Sequence, residues 1–465
     1  MVMRSRNVNE NPCNMCMPMG GILALKGIEK AMVIVHGSQG CSTYMRRHIA
    51  EHYNEPIDVG SSSLNEKGTV YGGEGQLKQA IDNICAVYHP EVVGIVTTCL
   101  AETIGEDVKR IAEEYMQSHS QARVALVAAS TPGYGDSFGE GYHRTLRAVV
   151  ETLATDETRH EGVNIISALL SPADIRWIKG LLESMGVSYT FLPDISETLD
   201  KPYLKEYRKL GPGGTSLKDI RGMGGAKATL QLGCTVKNAF SAGMYLEEHF
   251  GVPCYTLPLP IGLENTDLFL ATLQEVSGKE IPQALEQQRG RLQDAMVDSH
   301  KYNFAGRCAI YGEPDMVYAV TALCLENGLL PVLAATGSRG SRLVPLLEKK
   351  LAEFRETPQL LAGADFVSIR QAVEERQVNL VIGSSEGRYL EERCGIPLVR
   401  LGFPILDRVG GARQLSVGYE GTVLLLDRLT NALLDHKHKH YRKAMEDAFW
   451  RPEEANNTSA DDRRI

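Results

Sequence analysis

The 465-residue sequence has no run of about 18 apolar residues, the length that a helix needs to cross a bilayer. Its start, Met-Val-Met-Arg, also lacks the apolar segment of a secretion signal, so we expect a cytoplasmic protein. Basic residues are not in excess, because 49 Lys and Arg stand against 58 Asp and Glu and give a formal charge of −9. That balance argues against a nucleic-acid partner and against binding to an anionic membrane surface.

Aromatic residues make up only 6% of the chain, while hydrophobic residues reach 43% and charged residues 23%. This composition is typical of a folded, soluble α/β protein, and it excludes extensive disorder. Short β-branched runs alternate with amphipathic stretches long enough for helices, which predicts parallel sheets covered by helices. Strands are predicted at residues 31–35, 92–98, 124–129, 163–169, 189–192, 228–232, 254–257, 308–311, 331–335, 366–369, 379–382 and 397–401.

The predicted fold class is α/β, with three doubly wound, Rossmann-like domains built on parallel sheets. A charged segment at residues 156–161 interrupts the apolar pattern and indicates one boundary. The other is expected near residues 298–306, after a long charged helix that begins around residue 281. The expected domains are an N-terminal one over 1–158, a middle one over 159–300 and a C-terminal one over 301–465. The Gly- and Pro-rich stretch at 210–225 is expected to be the most loop-like part, and the polar tail after residue 451 to be frayed.

Ten cysteines in a chain without a secretion signal should stay reduced, as buried thiols, metal ligands or nucleophiles. Cys13 and Cys16 form a Cys-x-x-Cys pair, but the sequence has no second such pair to complete a structural zinc site. The pair also precedes the first predicted strand, in a Pro- and Gly-rich segment, which disfavours a thioredoxin-like dithiol. Neither a zinc site nor a redox dithiol is therefore favoured.

Two other cysteines come directly after predicted strands. Cys41 follows the segment that begins with His36, and Cys99 follows the strand predicted at 92–98. Ligands of open α/β sheets bind at the carboxyl ends of strands, and a helix that starts there stabilises a thiolate. With Cys16 these residues offer three thiolates, whereas an iron–sulfur cluster normally takes four, so a partner chain would supply the rest. The alternative is that the three are separately buried small hydrophobes.

Motifs spread over nearly the whole chain carry a resemblance to a known family. They are Asn-Pro-x-x-x-Cys-x-Pro-x-Gly at 11–20, His-Gly-Ser-Gln-Gly-Cys at 36–41, Ser-Ser-Ser-Leu at 61–64, Tyr-Gly-Gly at 71–73, Thr-Thr-Cys-x-x-Glu-x-Ile-Gly at 97–105, Arg-Gly-Arg-Leu-Gln-Asp-Ala-Met at 289–296, Ala-Ile-Tyr-Gly-Glu-Pro-Asp at 309–315, Gly-Phe-Pro-Ile-Leu-Asp-Arg at 402–408 and Gly-Tyr-Glu-Gly at 418–421. Together these segments resemble the beta-type chain of nitrogenase component 1 and its nitrogenase-like relatives. The intervals from Cys16 to Cys41 and from Cys41 to Cys99 are similar to those between the cluster cysteines of that beta chain.

The resemblance implies that Cys16, Cys41 and Cys99 bind a P-cluster-type [8Fe-7S] centre shared with a homologous alpha-type chain, in a heterotetramer of two alpha-type and two beta-type chains. It also implies that electrons come from an ATP-dependent reductase protein that carries a [4Fe-4S] cluster. This chain has no Gly-x-x-x-x-Gly-Lys-Ser/Thr loop, which agrees with that division of labour. Tyr71 falls near the expected reductase docking face, or is a half-exposed tyrosine in a Gly-rich turn. His36 either hydrogen-bonds a cluster sulfide or is a loop histidine with protein partners.

Some positions depart from the family pattern. Where the beta chain usually has a serine that ligates the oxidised P-cluster, this sequence has Gly133, so that ligand is absent. Cys13 is an extra thiol beside Cys16 and is either a substitute ligand or, as we favour, an unused neighbour. Cys234 resembles the cysteine that anchors the cofactor in alpha-type chains, but the rest of the chain is beta-type, so a buried thiol is the favoured interpretation. The long N-terminal extension of molybdenum-type beta chains is expected to be missing.

The expected function is therefore that of a beta-type subunit of a nitrogenase-like reductase, which relays electrons to a cofactor on the alpha-type partner. The substrate is dinitrogen or, as in methylthio-alkane reductase, a methylthio-alkane. The alternative is a scaffold subunit for assembly of the nitrogenase cofactor, with a smaller [4Fe-4S] cluster. The resemblance favours the reductase, because the third cysteine is commonly missing from the scaffold line and is present here as Cys99. A metal-free Rossmann-like binding protein is the remaining alternative.

Overall fold

The computed structural model describes residues 13–449, except 120–123, 204, 207, 353, 355 and 357. Its strands form three separate sheets, and every strand pair in them is parallel. No helix in the described part of the chain is long and apolar enough to cross a membrane. The predicted α/β fold with parallel sheets is confirmed.

The first sheet has the strand order β2-β1-β3-β4. Its strands are β1 (Ala31–His36), β2 (Gly60–Ser61), β3 (Val92–Thr97) and β4 (Ala125–Ala129). The helices around it are α1 (Met17–Lys26), α2 (Gln39–Tyr53), α3 (Glu66–Tyr71), α4 (Glu74–Tyr88), α5 (Cys99–Thr103), α6 (Val108–Ser118) and α7 (Phe138–Leu153). The chain reverses its winding direction between β1 and β3, and in open α/β sheets the crevice at such a switch point is the usual ligand site.

The second sheet has the order β6-β5-β7-β8 and repeats the winding of the first. Its strands are β5 (Val163–Ser167), β6 (Tyr189–Leu192), β7 (Ala228–Leu232) and β8 (Cys254–Leu257). The helices that follow are α8 (Pro172–Ser184), α9 (Leu217–Gly222), α10 (Ala242–Phe250), α11 (Leu263–Ser277) and α12 (Gln283–Asn303). Since α12 runs through residue 300, the predicted boundary at that position falls inside a helix.

The third sheet has the order β11-β10-β9-β12-β13. Its strands are β9 (Arg307–Tyr311), β10 (Leu330–Thr336), β11 (Gln359–Ala362), β12 (Leu380–Gly383) and β13 (Leu398–Arg400). Its helices are α13 (Pro314–Glu326), α14 (Leu343–Leu351), α15 (Phe366–Glu375), α16 (Arg388–Cys394) and α17 (Gly418–Phe449). Each of the three segments expected from the sequence thus contains one sheet, and the domain boundaries themselves stay a prediction.

One predicted strand is wrong. Residues 366–369 begin helix α15, because Asp365 forms a capping box with Ser368 and so satisfies the first backbone N–H groups of a helix. The edge strand β11 lies a few residues earlier than predicted. The stretch at 210–225 is likewise not all loop, since Ser216 caps the short helix α9. The two-residue strand β2 was not predicted, and the tail expected to fray after residue 451 lies outside the described residues.

Helices α1 and α7 pack with their backbones almost in contact. A Cβ atom on Gly20 would lie 2.0 Å from the carbonyl oxygen of Phe138, and one on Gly141 would lie 2.1 Å from that of Met17. Only glycine permits this approach, since any side chain would displace the opposing backbone. The contact fixes α1, which is buried over nearly its whole length, against the first sheet.

Candidate functional site

The three cysteines singled out from the sequence all lie at helix starts. Cys16 is the N-cap residue of α1, Cys41 lies in the first turn of α2, and Cys99 is the first residue of α5. Helices α2 and α5 directly follow β1 and β3, the two strands that flank the switch point of the first sheet. The sheet topology therefore brings the second and third cysteines to one edge, as expected from the sequence.

The sulfur atoms of Cys16 and Cys99 lie on either side of Gly133, and Cys41 is a close neighbour of Cys16. A Cβ atom added to Gly133 would lie 2.5 Å from Cys16 Sγ and 3.2 Å from Cys99 Sγ. Burial, together with the neighbouring thiols of Cys99 and Cys41, raises the pKa of the Cys16 thiol to about 11. Ser38 Oγ donates a hydrogen bond of 3.6 Å to Cys41 Sγ. The three thiols thus share one environment, which opens to the surface at the exposed Cys99.

A carboxylate that belongs to the motif at 97–105, but for which the sequence indicated no role, holds this edge together. Glu102 Oε1 accepts hydrogen bonds from Thr97 Oγ1 and Ser130 Oγ, both at 2.5 Å. Thr131, after β4, donates its backbone N–H to Thr97 Oγ1 at 2.8 Å. Glu102 lies one helical turn after Cys99, a spacing visible in the sequence, but its partners on two strands could only be known from the fold. It positions the segments that carry Cys99 and Gly133.

The donor set suits a cluster better than a single ion. Within the described ranges, no three Cys, His, Asp or Glu side chains lie close enough together to ligate one metal ion. A mononuclear zinc site would need its thiolates at about 2.3 Å from a common centre. An iron–sulfur cluster instead spreads its thiolate ligands over several irons. Three neighbouring thiols, two of them beside a position without a side chain, therefore fit a multi-iron cluster.

His36 is fully buried at the end of β1, close to this edge. Its Nδ1 lies 2.9 Å from Ser62 Oγ and its Nε2 lies 3.4 Å from Glu106 Oε2. Burial lowers the pKa of His36, so the ring is neutral near pH 7, while Glu106 acts in the opposite direction. Nδ1 has a protein partner, but the buried Nε2 makes no hydrogen bond with any described residue, so both interpretations of His36 stay predictions.

Tyr71 ends helix α3 on the surface, with 82% of its area exposed, next to Val70 at 73%. The turn after it, Gly72–Gly73, is held by Glu106, whose Oε1 accepts a hydrogen bond from Gly73 N at 2.5 Å. Tyr71 is thus more exposed than the half-exposed tyrosine of the simpler interpretation. An exposed aromatic beside an exposed valine is a suitable contact for a protein partner.

The other two candidate thiols lie elsewhere. Cys13 is buried in an apolar cluster with Tyr311 beside the third sheet, and its backbone N–H donates to Ala364 O at 3.0 Å. Burial raises the pKa of the Cys13 thiol strongly. Cys234 follows β7, at the edge of the second sheet, and burial followed by the charge of Asp315 raises its pKa. Neither Cys13 nor Cys234 is among the residues that affect the pKa of Cys16, so neither belongs to the group of three thiols.

Comparisons with known proteins all match the same family, and the matches cover nearly the full chain. The family model of nitrogenase component 1 type oxidoreductases matches residues 16–434. The chain is 35% identical to the nitrogenase molybdenum-iron protein beta chain of Methanococcus maripaludis, over 94% of this chain and 96% of that one. It is 34% identical to the vanadium-iron protein beta chain of Trichormus variabilis, over 93% and 96%. The solved structure of nitrogenase Cp1 at pH 6.5 superposes with a TM-score of 0.89, at 33% identity, over 94% of this chain and 95% of that chain.

Proposed function

The chain belongs to the nitrogenase component 1 type oxidoreductase family, and on that premise we propose that it is a beta-type subunit holding a P-cluster-type [8Fe-7S] centre. Cys16, Cys41 and Cys99 are the proposed ligands. The observation that supports this proposal is that Cys16 and Cys99 meet at Gly133 while Cys41 lies close enough to Cys16 to affect its thiol. When bound, such a cluster supplies one-electron redox capacity at the edge of the first sheet.

Three thiols from one chain leave a large cluster short of ligands. The exposed position of Cys99 supports a second chain that covers this edge and supplies the remaining thiolates. We propose a homologous alpha-type chain for that role, within a heterotetramer of two copies of each chain. The beta-chain names of the relatives support such a partner.

Electrons are proposed to arrive from an ATP-dependent [4Fe-4S] reductase that docks near Tyr71. The exposed pair Val70 and Tyr71 supports this, because interface centres are enriched in aromatic residues. The turn after Tyr71 is tied through Glu106 to His36, at the end of the strand that leads to Cys41. Glu106 thus links the proposed docking surface to the strand that leads to Cys41.

The test is anaerobic co-purification with the neighbouring alpha-type chain, followed by iron analysis and EPR spectroscopy. We expect about eight irons for each shared interface, whereas about four would support the scaffold with a [4Fe-4S] cluster. Cys99→Ala should lose the large cluster and leave the chain folded. Cys85→Ala, a half-buried thiol on α4, is the matched control and should retain all the iron. Unchanged iron in Cys99→Ala would refute the ligand assignment.

The substrate is proposed to be dinitrogen or a methylthio-alkane, reduced on the alpha-type partner. The retained third thiol favours this reductase role over assembly of the cofactor for other proteins. The complex reconstituted with its reductase should be offered each substrate separately, with ammonia and methanethiol as the measured products. A complex that holds its cluster and forms neither product would support the scaffold role.

A further inference from the structure

A cation-rich cavity of about 270 Å³ lies at the opposite end of α1 from Cys16. It is bounded by the end of α1, the start of β1 and the residues 197–201 and 208–213, which include part of the Gly- and Pro-rich stretch noted in the sequence. Two carboxylates, Asp58 and Glu197, line it. The cationic lining residues are Lys26, Lys30, Arg46, Lys201, Arg208 and Lys209. Positive charge therefore dominates the cavity, in a chain whose net charge is −9.

Half of these cations are already committed to protein partners. Lys30 pairs with Glu91 at 2.5 Å, Lys201 lies 3.5 Å from Glu55, and Lys209 donates to the carbonyl of Val87 at 2.9 Å. The remaining three are Lys26, Arg46 and Arg208. They make no ion pair or hydrogen bond with any residue that the structure describes.

Lys26 is the most unusual of the three, because its ammonium group is largely buried. Burial lowers the pKa of its ammonium to about 8, and the nearby carboxylate of Asp58 only partly opposes this. The terminal carbonyls of α1 do not need it, because those of Ala24 and Leu25 already accept the backbone N–H groups of Gly27 and Ile28. A largely buried ammonium without a hydrogen-bonded partner costs free energy, which a bound anion would recover.

Neutral donors complete the lining. Thr198 Oγ1 is buried and has no hydrogen-bond partner among the described residues. The backbone N–H groups of Gly211 and Gly213 also donate to no residue in the described ranges. Hydroxyl and amide N–H groups beside ammonium and guanidinium groups are the donors that phosphate oxygens accept from.

We propose that this cavity binds a small molecule bearing a diphosphate or longer polyphosphate. A single phosphate would not use three uncommitted cations around a cavity of this size, whereas an extended anion would contact several of them. The site is independent of the proposed cluster, since the ten residues of α1 separate it from Cys16 by about 15 Å.

The test is isothermal titration of the full chain with inorganic pyrophosphate, and with phosphate and sulfate for comparison. We expect saturable pyrophosphate binding that is tighter than that of either monomeric anion. Lys26→Met, which keeps the length of the side chain, should weaken binding by about tenfold or more, because a charge-assisted contact is lost. Lys109→Gln, an exposed lysine on α6, should bind as the unmodified chain does.

The double variant Arg46→Gln/Arg208→Gln provides a second measurement, should Lys26→Met fail to fold. It changes two exposed side chains, and we expect the same loss of pyrophosphate binding. The proposal is overturned by a flat pyrophosphate isotherm, by unchanged affinity in the folded variants, or by sulfate binding as tightly as pyrophosphate.

Discussion

Glu106 receives the backbone N–H of Gly73 at 2.5 Å, across 33 residues of sequence. Its second oxygen lies 3.4 Å from the ring of His36, and the side chain is only 8% exposed. One carboxylate thus joins the turn after Tyr71 to the end of β1. Neither the sequence motif that contains Tyr71 nor the one that contains His36 indicates this connection.

Replacing Glu106 by Ala should loosen the turn. The N–H of Gly73 would lose its acceptor, at a cost of about 1–3 kcal/mol for a partly buried, charge-assisted hydrogen bond. Hydrogen exchange followed by mass spectrometry should show faster exchange over residues 70–76. Glu113→Ala, an exposed glutamate on helix α6, which begins just after Glu106, should leave that segment unchanged. Equal exchange in both variants would show that Glu106 does not hold the turn.

Replacing Gly133 by Ala should disturb the thiol edge. The new methyl would press on Cys16 Sγ and Cys99 Sγ, and overpacking of this kind costs about 1–3 kcal/mol. We expect a lower thermal midpoint and a lower iron content. Gly180→Ala is the matched control, because no atom lies within 4 Å of the added carbon on α8. It should stabilise the chain by up to about 1 kcal/mol. Full iron in Gly133→Ala would mean that the sulfurs can move apart freely.

His52 should make the free energy of unfolding fall as the pH is lowered. Its Nδ1 accepts the backbone N–H of Ile405 at 2.9 Å, and burial lowers its pKa to about 4. Because the folded-state pKa lies below the unfolded value near 6.5, the contribution is complete above pH 6.5 and is lost as pH falls towards 4. A shift of this size corresponds to about 3 kcal/mol.

The measurement is the thermal midpoint of the wild-type chain and of His52→Asn between pH 7 and 4.5. The wild type should lose stability more steeply than the variant as the pH falls. His438→Asn, an exposed histidine on α17, should follow the wild type. Parallel curves for the wild type and His52→Asn would contradict the assignment.

Asp174 should contribute strongly to the free energy of unfolding, because it connects α8 to the segment that leads into α17. This buried carboxylate accepts the backbone N–H groups of Ser416 at 2.7 Å and Val417 at 3.1 Å. Asp174→Ala would leave both buried N–H groups unpaired, at a cost of about 3 kcal/mol. Asp219→Ala removes an exposed aspartate from the same position of a serine-capped helix and should cost less than about 1 kcal/mol. Urea unfolding of the two variants gives the comparison, and similar midpoints would refute the expectation.

Most strands could be predicted from the sequence, because a buried parallel strand appears as a short run of β-branched residues. A helix instead shows apolar residues that recur every three to four positions, so the two patterns can be told apart. The strand predicted at Phe366 is wrong because the apolar run there begins a helix. The Asp365 capping box, rather than the apolar run, determines the structure at this point. The contacts of Glu102 and Glu106 could not be predicted, since their partners lie on elements distant in the sequence. Cys13 and Cys16 illustrate the same limit of prediction. They are only three residues apart, yet Cys13 lies in the apolar cluster beside the third sheet and Cys16 lies beside Cys99 and Cys41.

The near-contact of α1 and α7 at Gly20 and Gly141 has a consequence for electron flow. Cys16 begins a helix that cannot slide or tilt unless the backbone of α7 yields with it. A redox centre changes its bond lengths slightly with each electron, and the energy spent on that rearrangement slows the transfer. If Cys16 holds the proposed cluster, the paired glycines would anchor one of its sulfurs in an unyielding frame and keep this reorganisation energy small.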